Sequence, residues 1–474
     1  IFYMGVNLGA AIAPLVCVYA GEAYGWHYGF GLAAIGMVLG LAIFVVQAKY
    51  ARFMVLGGGL IGAVLLSWIG FEKGFLVLPM AVLVAVALLV ATVVSFSALR
   101  FGGVPPNVGA PPKPEEYKRN IFLVVIVSFF LVFLFAWLCD HPEIAGQALM
   151  VAGILALAHI GINSIKLSAL ERSRIGAILI LAFFSMLFWA FFEQAGSSLS
   201  LFTDRNVDRV NEDRKITPED IGKEVSIVLT QEQVGYKIDG SLLTIDRLDA
   251  LRQDAQANQG VVRRRILIEP EHVGMGIGGK EIPAGMFQAV NPIFILIFGL
   301  LFTSLWVWLA RRNREPTTPT KFLLGLVQIG LGFGVLYFGS LFADERGMVS
   351  MGWLVLAYLL HTTGELCLSP VGLSMVTRLA PSGMVATMMG AWYLATAFSQ
   401  YLAGLIAALA GAQKEGDGGE SIPLPKDTLP IYADVFGKVA IAAGVAGALL
   451  FVMSPLVVRW MGEQTRNEKK VGVG

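Results

Sequence analysis

The sequence predicts an all-α polytopic membrane protein, on three observations. Of 474 residues, 56% are hydrophobic and 15% charged, and the mean hydropathy is +0.70. Apolar runs long enough to span a bilayer, about 20 residues each, recur along most of the chain. The loops between them alternate in charge, as loops on opposite faces of a membrane do. Fifty-four glycines, 30 phenylalanines and nine tryptophans suit helices that pack through small residues and carry aromatic belts. A net charge of +1 argues against nucleic acid as a partner.

Twelve candidate helices fall at about 1–20, 26–46, 53–71, 75–99, 119–139, 144–164 and 173–201, then, after a long polar stretch, at 289–310, 321–342, 350–378, 385–411 and 434–460. Lys49 and Arg52, then Arg100, Lys113, Lys118 and Arg119, then Lys166, Arg172 and Arg174, then Arg311, Arg312, Arg314 and Lys321 occupy every second loop. Cytoplasmic loops collect Lys and Arg, so these are expected inside. Glu22, Glu72 with Lys73, Asp140 with Glu143, Asp344 with Glu345, and the segment from Glu415 to Asp427 occupy the others, expected outside. Arg378 and the tail with Arg459, Arg466, Lys469 and Lys470 complete the alternation and put both ends of the chain in the cytoplasm. The chain opens at Ile1 inside an apolar run, with no initiator Met or signal peptide, and is read as part of a longer sequence.

One soluble segment, from about Thr203 to Gly285, follows an inward-to-outward helix and is expected outside the cytoplasm. A helical piece, Ser241 to Gln256, and β-like runs, Val225 to Leu229 and Arg265 to Ile268, make it a small folded insertion of mixed structure. Its charges nearly balance, which reads as a solvated appendage. Within it, Gly274-Met275-Gly276-Ile277-Gly278-Gly279-Lys280 has the spacing of a phosphate-binding loop up to its lysine. Glu281 then stands where that site needs Ser or Thr to hold magnesium, so the stretch reads as a flexible glycine-rich return to the membrane.

Two acids lie inside apolar runs. Glu193, in Phe188-Trp189-Ala190-Phe191-Phe192-Glu193-Gln194-Ala195-Gly196-Ser197-Ser198, has no basic residue in its stretch. A charge at the bilayer centre costs about 2.5–3.5 kcal/mol on insertion scales, so such acids face a cavity or a partner. At helical spacing Trp189 and Ser197 share its stripe. Glu365 lies in His361-Thr362-Thr363-Gly364-Glu365-Leu366-Cys367-Leu368-Ser369-Pro370, where Pro370 removes a backbone donor and is expected to kink the helix over a cavity. The structural alternative is an acid satisfied on its own face by Ser369 or His361. His361 and Glu365 are four residues apart but no second histidine shares the face, so no metal site is expected. Asn7 and Asn291, the latter beside Pro292, could each contact a ligand's ammonium and amide groups or make an interhelical hydrogen bond, and the residues alone leave both open. Cys17, Cys139 and Cys367 show no ligand spacing and read as buried thiols.

These stretches resemble a known family, the proton-dependent oligopeptide transporters of the major facilitator superfamily. Phe2-Tyr3-Met4-Gly5-Val6-Asn7-Leu8-Gly9 looks like its second signature, Phe188 to Ser198 like its seventh core helix and Gln288 to Phe294 like the start of its eighth. Gly364 to Ser374 resembles its tenth-helix motif, and Met388-Met389-Gly390-Ala391-Trp392-Tyr393 its eleventh. The resemblance implies that Glu365 binds the peptide's amino terminus and joins the intracellular gating network, and that Glu193 and Glu365 take part in proton coupling. Asn7 and Asn291 would contact the peptide's terminus and backbone. Trp189, Trp392 and Tyr3 would line its side-chain pockets, with Ser369 a lesser candidate.

The resemblance implies a major facilitator fold with residues 1–46 ending an N-terminal helical half, 47–172 forming extra helices and linkers between the halves, and 173–202 with 286–462 forming a C-terminal six-helix half. The insertion (203–285) and a cytoplasmic tail (463–474) complete it. Two departures stand out. The family's first-helix motif and its basic fourth-helix residue are absent, and four helices rather than two lie between the halves. The implied function is proton-coupled import of di- and tripeptides by alternating access. It would be carried out by a monomer in a plasma membrane, a bacterial inner membrane by this resemblance, with the proton as coupling ion and no cofactor. The alternatives are a carrier for another small organic solute, or a membrane receptor or assembly subunit that binds a partner through the insertion. No nucleophile and base pair at helical spacing suggests an enzyme.

Overall fold

The structure, a computed structural model, describes residues 2–18, 20–21, 25–45, 48–72, scattered positions between 85 and 97, 117–255, 261–409 and 424–462. The expected run at 75–99, the loop 410–423 and the tail 463–474 lie largely or wholly outside the described residues. The other eleven expected runs each hold a helix: α1 (Phe2–Ala13), α2 (Trp26–Val45), α3 (Ala48–Glu72), α4 (Tyr117–Cys139), α5 (Pro142–Ser164), α6 (Ala169–Phe192), then α9 (Val290–Arg311), α10 (Thr318–Ser340), α11 (Met351–Leu379), α12 (Val385–Leu409) and α13 (Pro425–Met461). Between them stand α7 (Ser198–Asn206) and α8 (Ile245–Asp254). Among the described residues, seven spans are long and apolar enough to cross a membrane, one of them running from α6 through α7.

The chain divides into two compact units, Val38–Leu167 and the remainder. In the first, α4 and α5 pack together, and α4 exposes Phe129, Phe130 and Phe133, the surface expected of helices facing lipid. In the second, α10 packs on α11 and α13, and α6 on α12. The closest approach of α10 and α11 runs through facing glycines. A Cβ on Gly325 would sit 3.0 Å from the Gly364 carbonyl, and one on Gly364 3.0 Å from the Gly325 carbonyl. Small residues let the backbones come together where lipid supplies no hydrophobic drive, and this contact fixes α11 one residue before Glu365.

Several boundaries differ from the sequence expectation. The first run is a 12-residue α-helix that widens into a π-helical turn, Pro14–Val18. The span after Ala169 does not stay helical to 201. It tightens to a 3₁₀ turn at Glu193–Gly196, breaks at Ser197 (φ −131°, ψ −101°) and resumes as α7 as far as Asn206. The last helix starts at Pro425, within the segment expected to be an acidic loop. Pro370 lies inside α11, which runs on through it. Cys367 is buried but Cys17 is only half-buried, and the Cys139 side chain lies outside the described residues.

The insertion is a folded body with its own core. Its strands are β1 (Val207–Asp208), β2 (Val210–Asn211), β3 (Arg214–Lys215), β4 (Glu224–Val228), β5 (Lys237–Ile238), β6 (Ser241–Leu242), β7 (Arg263–Leu267), β8 (Gly276–Ile277) and β9 (Lys280–Glu281). They pair antiparallel as β2 with β9, β3 with β8, β4 with β7 and β5 with β6. Ile216, Ile227, Leu229, Leu243, Leu248, Ile266, Ile268 and Met275 fill the interior. The glycine-rich stretch is thus no flexible return: β8 and β9 flank a turn at Gly278 and Gly279, both at positive φ (78° and 79°), and no helix follows as a phosphate loop would need. Helix α8 is shorter than expected, because Ser241 and Leu242 pair with β5 and the Thr244 side chain caps the helix from the Arg247 amide.

One six-residue pattern recurs three times in the insertion: Thr217 to Gly222, Thr230 to Gly235 and Glu269 to Gly274. Each forms a 3₁₀ turn whose first backbone N–H donates to the fourth side chain, to Asp220 at 3.2 Å, Gln233 at 2.7 Å and His272 at 3.0 Å. Each ends in a positive-φ glycine (82°, 93° and 91°). The first and third copies are reciprocal. Gly222 N–H donates to the Ile268 carbonyl and Gly274 N–H to the Ile216 carbonyl, both at 2.9 Å, while Ile268 donates to Lys223 and Ile216 to Met275. The core is therefore built on a local two-fold relation between two pieces of chain.

The insertion is stitched to the helices. β1 pairs in parallel with β10 (Val349–Ser350), at the start of α11. Fully buried Asn206 donates to the carbonyls of Gly347 (3.0 Å) and Pro425 (2.7 Å) and accepts from Thr428 (2.9 Å). Arg346, between α10 and α11, bonds Glu232 at 2.8 Å.

Candidate functional site

Glu365 is 4% exposed and takes a hydrogen bond from Asn291 of α9, whose amide donates to it at 2.9 Å and to the Thr362 hydroxyl at 3.0 Å. Thr362 in turn donates to the Tyr358 carbonyl at 2.6 Å, so its oxygen is free to accept. The acid is thus met from across the helix interface, not from its own face by Ser369 or His361. The Ser369 hydroxyl and His361 Nε2 are buried with no hydrogen-bond partner among the described residues. His361 packs instead against Phe333, ring centroids 4.7 Å apart, and Phe192 at 6.5 Å. Pro292 falls in the first turn of α9, directly after the 3₁₀ turn Ala284–Ala289.

Glu193 is half-buried and stands where α6 gives way to the 3₁₀ turn. Ser197, at the break, still turns its hydroxyl back to the Glu193 carbonyl at 3.5 Å, and Trp189, one turn before the acid, lies edge-on to Phe192 at 5.1 Å. Side-chain amides brace the break. Gln194, fully buried, donates to Ala190 and to Ala403 of α12, both at 3.1 Å, and Gln288 donates to Ala195 at 2.6 Å. Neither glutamine stood out in the sequence. The available signal was an amide at an apolar position, Gln194 directly after the acid.

Asn7 is buried and partnered on α1, which packs on α9. Trp392 of α12, 6% exposed, lies edge-on to Phe322 at 6.3 Å. It occupies the space above Gly372, where a Cβ would come within 2.6 Å of its ring. The Tyr3 side chain lies outside the described residues. The structure therefore unites Asn291 with Glu365 and places Glu193 at the 3₁₀ turn that follows α6.

A second polar cluster lies where the insertion meets α7. Glu281, in β9, is held by Arg209 at 3.2 Å and by Arg252 of α8, and Arg209 also bonds Asp204 at 2.9 Å. Burial works to raise the Glu281 pKa, but the two guanidiniums outweigh it and hold the carboxyl below its usual range. Asp249 lies 3.9 Å from Arg252. Burial first, then the nearby Asp204, pushes its pKa up to about 6 against the pull of Arg252.

Comparison with known proteins places these features. The model of the POT family matches residues 1–223 and 270–420, passing over most of the insertion. "Uncharacterized transporter YclF" of Bacillus subtilis (strain 168) is 27% identical over 97% of this chain and 67% of its own length. "Peptide transporter YePEPT" of Yersinia enterocolitica is 26% identical over 98% of this chain and 69% of its own. A crystal structure of a variant of peptide transporter POT in complex with alafosfalin aligns with a TM-score of 0.52 at 26% identity, covering 97% of this chain and 67% of that one. The chain thus spans about two thirds of the length of the relatives it matches. Helices that cross a membrane, acids met by amides between them and a family match over most of the sequence agree: this multi-pass membrane chain is a transporter, not an enzyme, and belongs to the POT family.

Proposed function

We propose that the chain carries out proton-coupled import of di- and tripeptides by alternating access, with Glu365 and Asn291 holding the peptide and Glu193 exchanging the proton. The observation that carries this reading is the Asn291–Glu365 pair. The pair brings together, between α9 and α11, a carboxylate of the kind that binds a substrate ammonium and an amide that can both donate to and accept from a peptide backbone. Glu193 suits the proton because it is a half-buried carboxylate at a break in a membrane-crossing helix. Its protonation then follows the hydration that opening and closing impose, and coupling needs such a difference between states. Trp189, Trp392 and Tyr3 are assigned to side-chain pockets, Asn7 to the peptide terminus and Ser369, with its unpartnered hydroxyl, to a secondary contact. The relatives named as peptide transporters support the substrate class. The reading extends to a monomer in a bacterial inner membrane with both ends of the chain cytoplasmic, to residues 1–46 as the end of an N-terminal half, and to 173–202 with 286–462 as the C-terminal half.

Uptake of a labelled dipeptide into proteoliposomes holding the full-length protein tests the reading. An inward proton gradient should accelerate uptake severalfold, and Glu193→Gln should abolish that acceleration while exchange of internal for external peptide continues. Uptake indifferent to the gradient, or full acceleration in Glu193→Gln, overturns it.

A further inference from the structure

We infer that the second copy of the six-residue turn, Thr230 to Gly235, is a docking turn by which the insertion splints the outer ends of α7, α11 and α13 into one body, so that the α6–α7 span bends at its 3₁₀ turn. The three copies share a framework but spend it differently. The first and third bond each other, Gly222 to Ile268 and Gly274 to Ile216. The second meets the helices, and Thr230 to Val234 are all buried. Two residues equip it for this. Where its sister turns carry Pro218 and Pro270, it carries Gln231, whose side-chain amide donates to the Asp204 carbonyl of α7 at 2.9 Å and accepts from the Arg209 backbone at 3.2 Å. The glutamate that follows recurs in every copy, as Glu219, Glu232 and Glu271. Glu271 pairs with Lys237 inside the insertion. Glu232 instead takes a fork from Arg346 in the α10–α11 loop, Nη1 to Oε2 at 2.8 Å and Nη2 to Oε1 at 3.1 Å, while Nη1 also donates to the Glu232 carbonyl at 2.9 Å. Paired bonds of this kind fix direction as well as distance. Gly276 leaves room for the carboxylate, since a Cβ there would lie 2.9 Å from Oε2.

The helix ends gripped by this turn are themselves knotted. Arg346 directly precedes Gly347, whose positive φ (86°) lets the loop lie against the start of α13, where a Cβ would come 2.5 Å from the Lys426 nitrogen. Asn206, the last residue of α7, ties the carbonyls of Gly347 and Pro425 together and accepts from Thr428. Val207 and Val349 pair directly beyond it, both buried, and Phe202 of α7 lies edge-on to Tyr432 and Phe436 of α13 at 5.8 and 5.1 Å. Sliding one end past another would leave buried Asn206 and Glu232 without their partners, and stranded polar groups are costly. Helix α7 is thus held by the outer body, while α6 packs on α12. Between these two held pieces lie the 3₁₀ turn Glu193–Gly196 and the irregular Ser197, which are left to absorb any movement of one against the other. None of this depends on the roles proposed for Glu193 and Glu365.

Amide hydrogen exchange of the full-length protein in lipid nanodiscs tests this on wild type, Gln231→Pro, Glu232→Gln and Glu271→Gln. The sister turns already carry proline at the position of Gln231, and Glu271→Gln makes the Glu232→Gln change in a copy that does not dock. In wild type, amides at 194–198 are expected to exchange at least about tenfold faster than those at 199–206, as local opening confined to the break requires. In Gln231→Pro and Glu232→Gln, amides at 199–206 and 344–350 should exchange about tenfold faster than in wild type, the effect of weakening bonds to buried and charged groups. The insertion core around Ile216 and Ile268 should keep its protection in both, and Glu271→Gln should leave α7 unchanged. If α7 exchanges as fast as 194–198 in wild type, the span does not bend at its turn. If α7 keeps its protection in both docking variants, if the insertion core opens with it in both, or if Glu271→Gln exposes α7 equally, the second copy is no docking turn.

Discussion

In the insertion, Glu281 is clasped by Arg209 and Arg252, Glu232 by Arg346 and Asp220 by Arg214. Among the membrane helices Glu365 accepts instead from the neutral amide of Asn291, at 2.9 Å. A guanidinium fixes a carboxylate in its ionised form, so the pair serves the fold. An amide orients a carboxylate without carrying a charge of its own, which suits the role proposed for Glu365 toward a substrate ammonium. Ion pairs hold the acids of one region, and an amide orients an acid of the other.

The contrast is broken most forcefully at Glu281. Glu281→Ala leaves Arg209 and Arg252 facing each other without their shared carboxylate, and removing one partner of a buried pair costs about 3–5 kcal/mol. Hydrogen exchange should show the insertion core around Ile216 and Ile268 opening, while dipeptide uptake per folded molecule stays within twofold of wild type. Loss of uptake with an intact insertion would put chemistry where the contrast puts architecture.

The converse holds at Glu365. A hydrogen bond to a charged group contributes about 1.5–3 kcal/mol, so Glu365→Gln should reduce dipeptide uptake by roughly 10- to 150-fold. The variant keeps the shape of the side chain, and its melting temperature should stay within about 2 °C of wild type, as for a loss well below 1 kcal/mol. A large fall in melting temperature would make Glu365 structural after all.

A smaller effect sharpens the assignment of the aromatic wall. Gly372→Ala places a methyl group 2.6 Å from the Trp392 ring and must push it aside. KM for dipeptides with bulky side chains should change severalfold while that for dialanine changes little. Equal changes for both would take Trp392 out of the side-chain pocket.

The smallest effect is a matter of pH. The Asp249 pKa is raised from 3.8 to about 6 in the folded insertion, so the folded form holds this proton more tightly than the unfolded form. Stability from this group is therefore lost as pH rises from about 4 to about 6 and stays lost above that. Asp249→Asn removes the ionisation, so the variant should melt higher than wild type at pH 7.5, with the gap closing as pH falls toward 4. A gap that widens on acidification would reverse the sign of the argument.

Much of the fold could be read from the chain because membrane helices are specified by composition over about 20 residues, a signal that needs no partner. The strands β4 and β7 were visible as the apolar, β-branched runs Val225 to Leu229 and Arg265 to Ile268, though nothing in the sequence said that they pair. The break at Glu193 was not visible, since no proline marks it and one of the amides that brace it, Gln288, lies 93 residues from Ala195 in sequence. The partner of Glu365 was half visible: both residues of the Asn291 pair stood out, but nothing local told that they meet. The threefold pattern in the insertion lay open in the sequence as Pro218-Glu219 and Pro270-Glu271, each followed three residues after the glutamate by glycine. It was overlooked because repeats of six residues are short against a background of helices.

The seam between insertion and helices has a practical reach. With β1 hydrogen-bonded to β10 and Asn206 locked to Gly347, Pro425 and Thr428, the insertion is fastened to the ends of α7, α11 and α13 rather than hung from a tether. A membrane protein made almost wholly of helices offers few landmarks for image alignment. This one carries a rigid fiducial of its own, and a fluorophore or antibody fragment on its exposed surface would report the tilt of those helices during transport without a single label inside the bilayer.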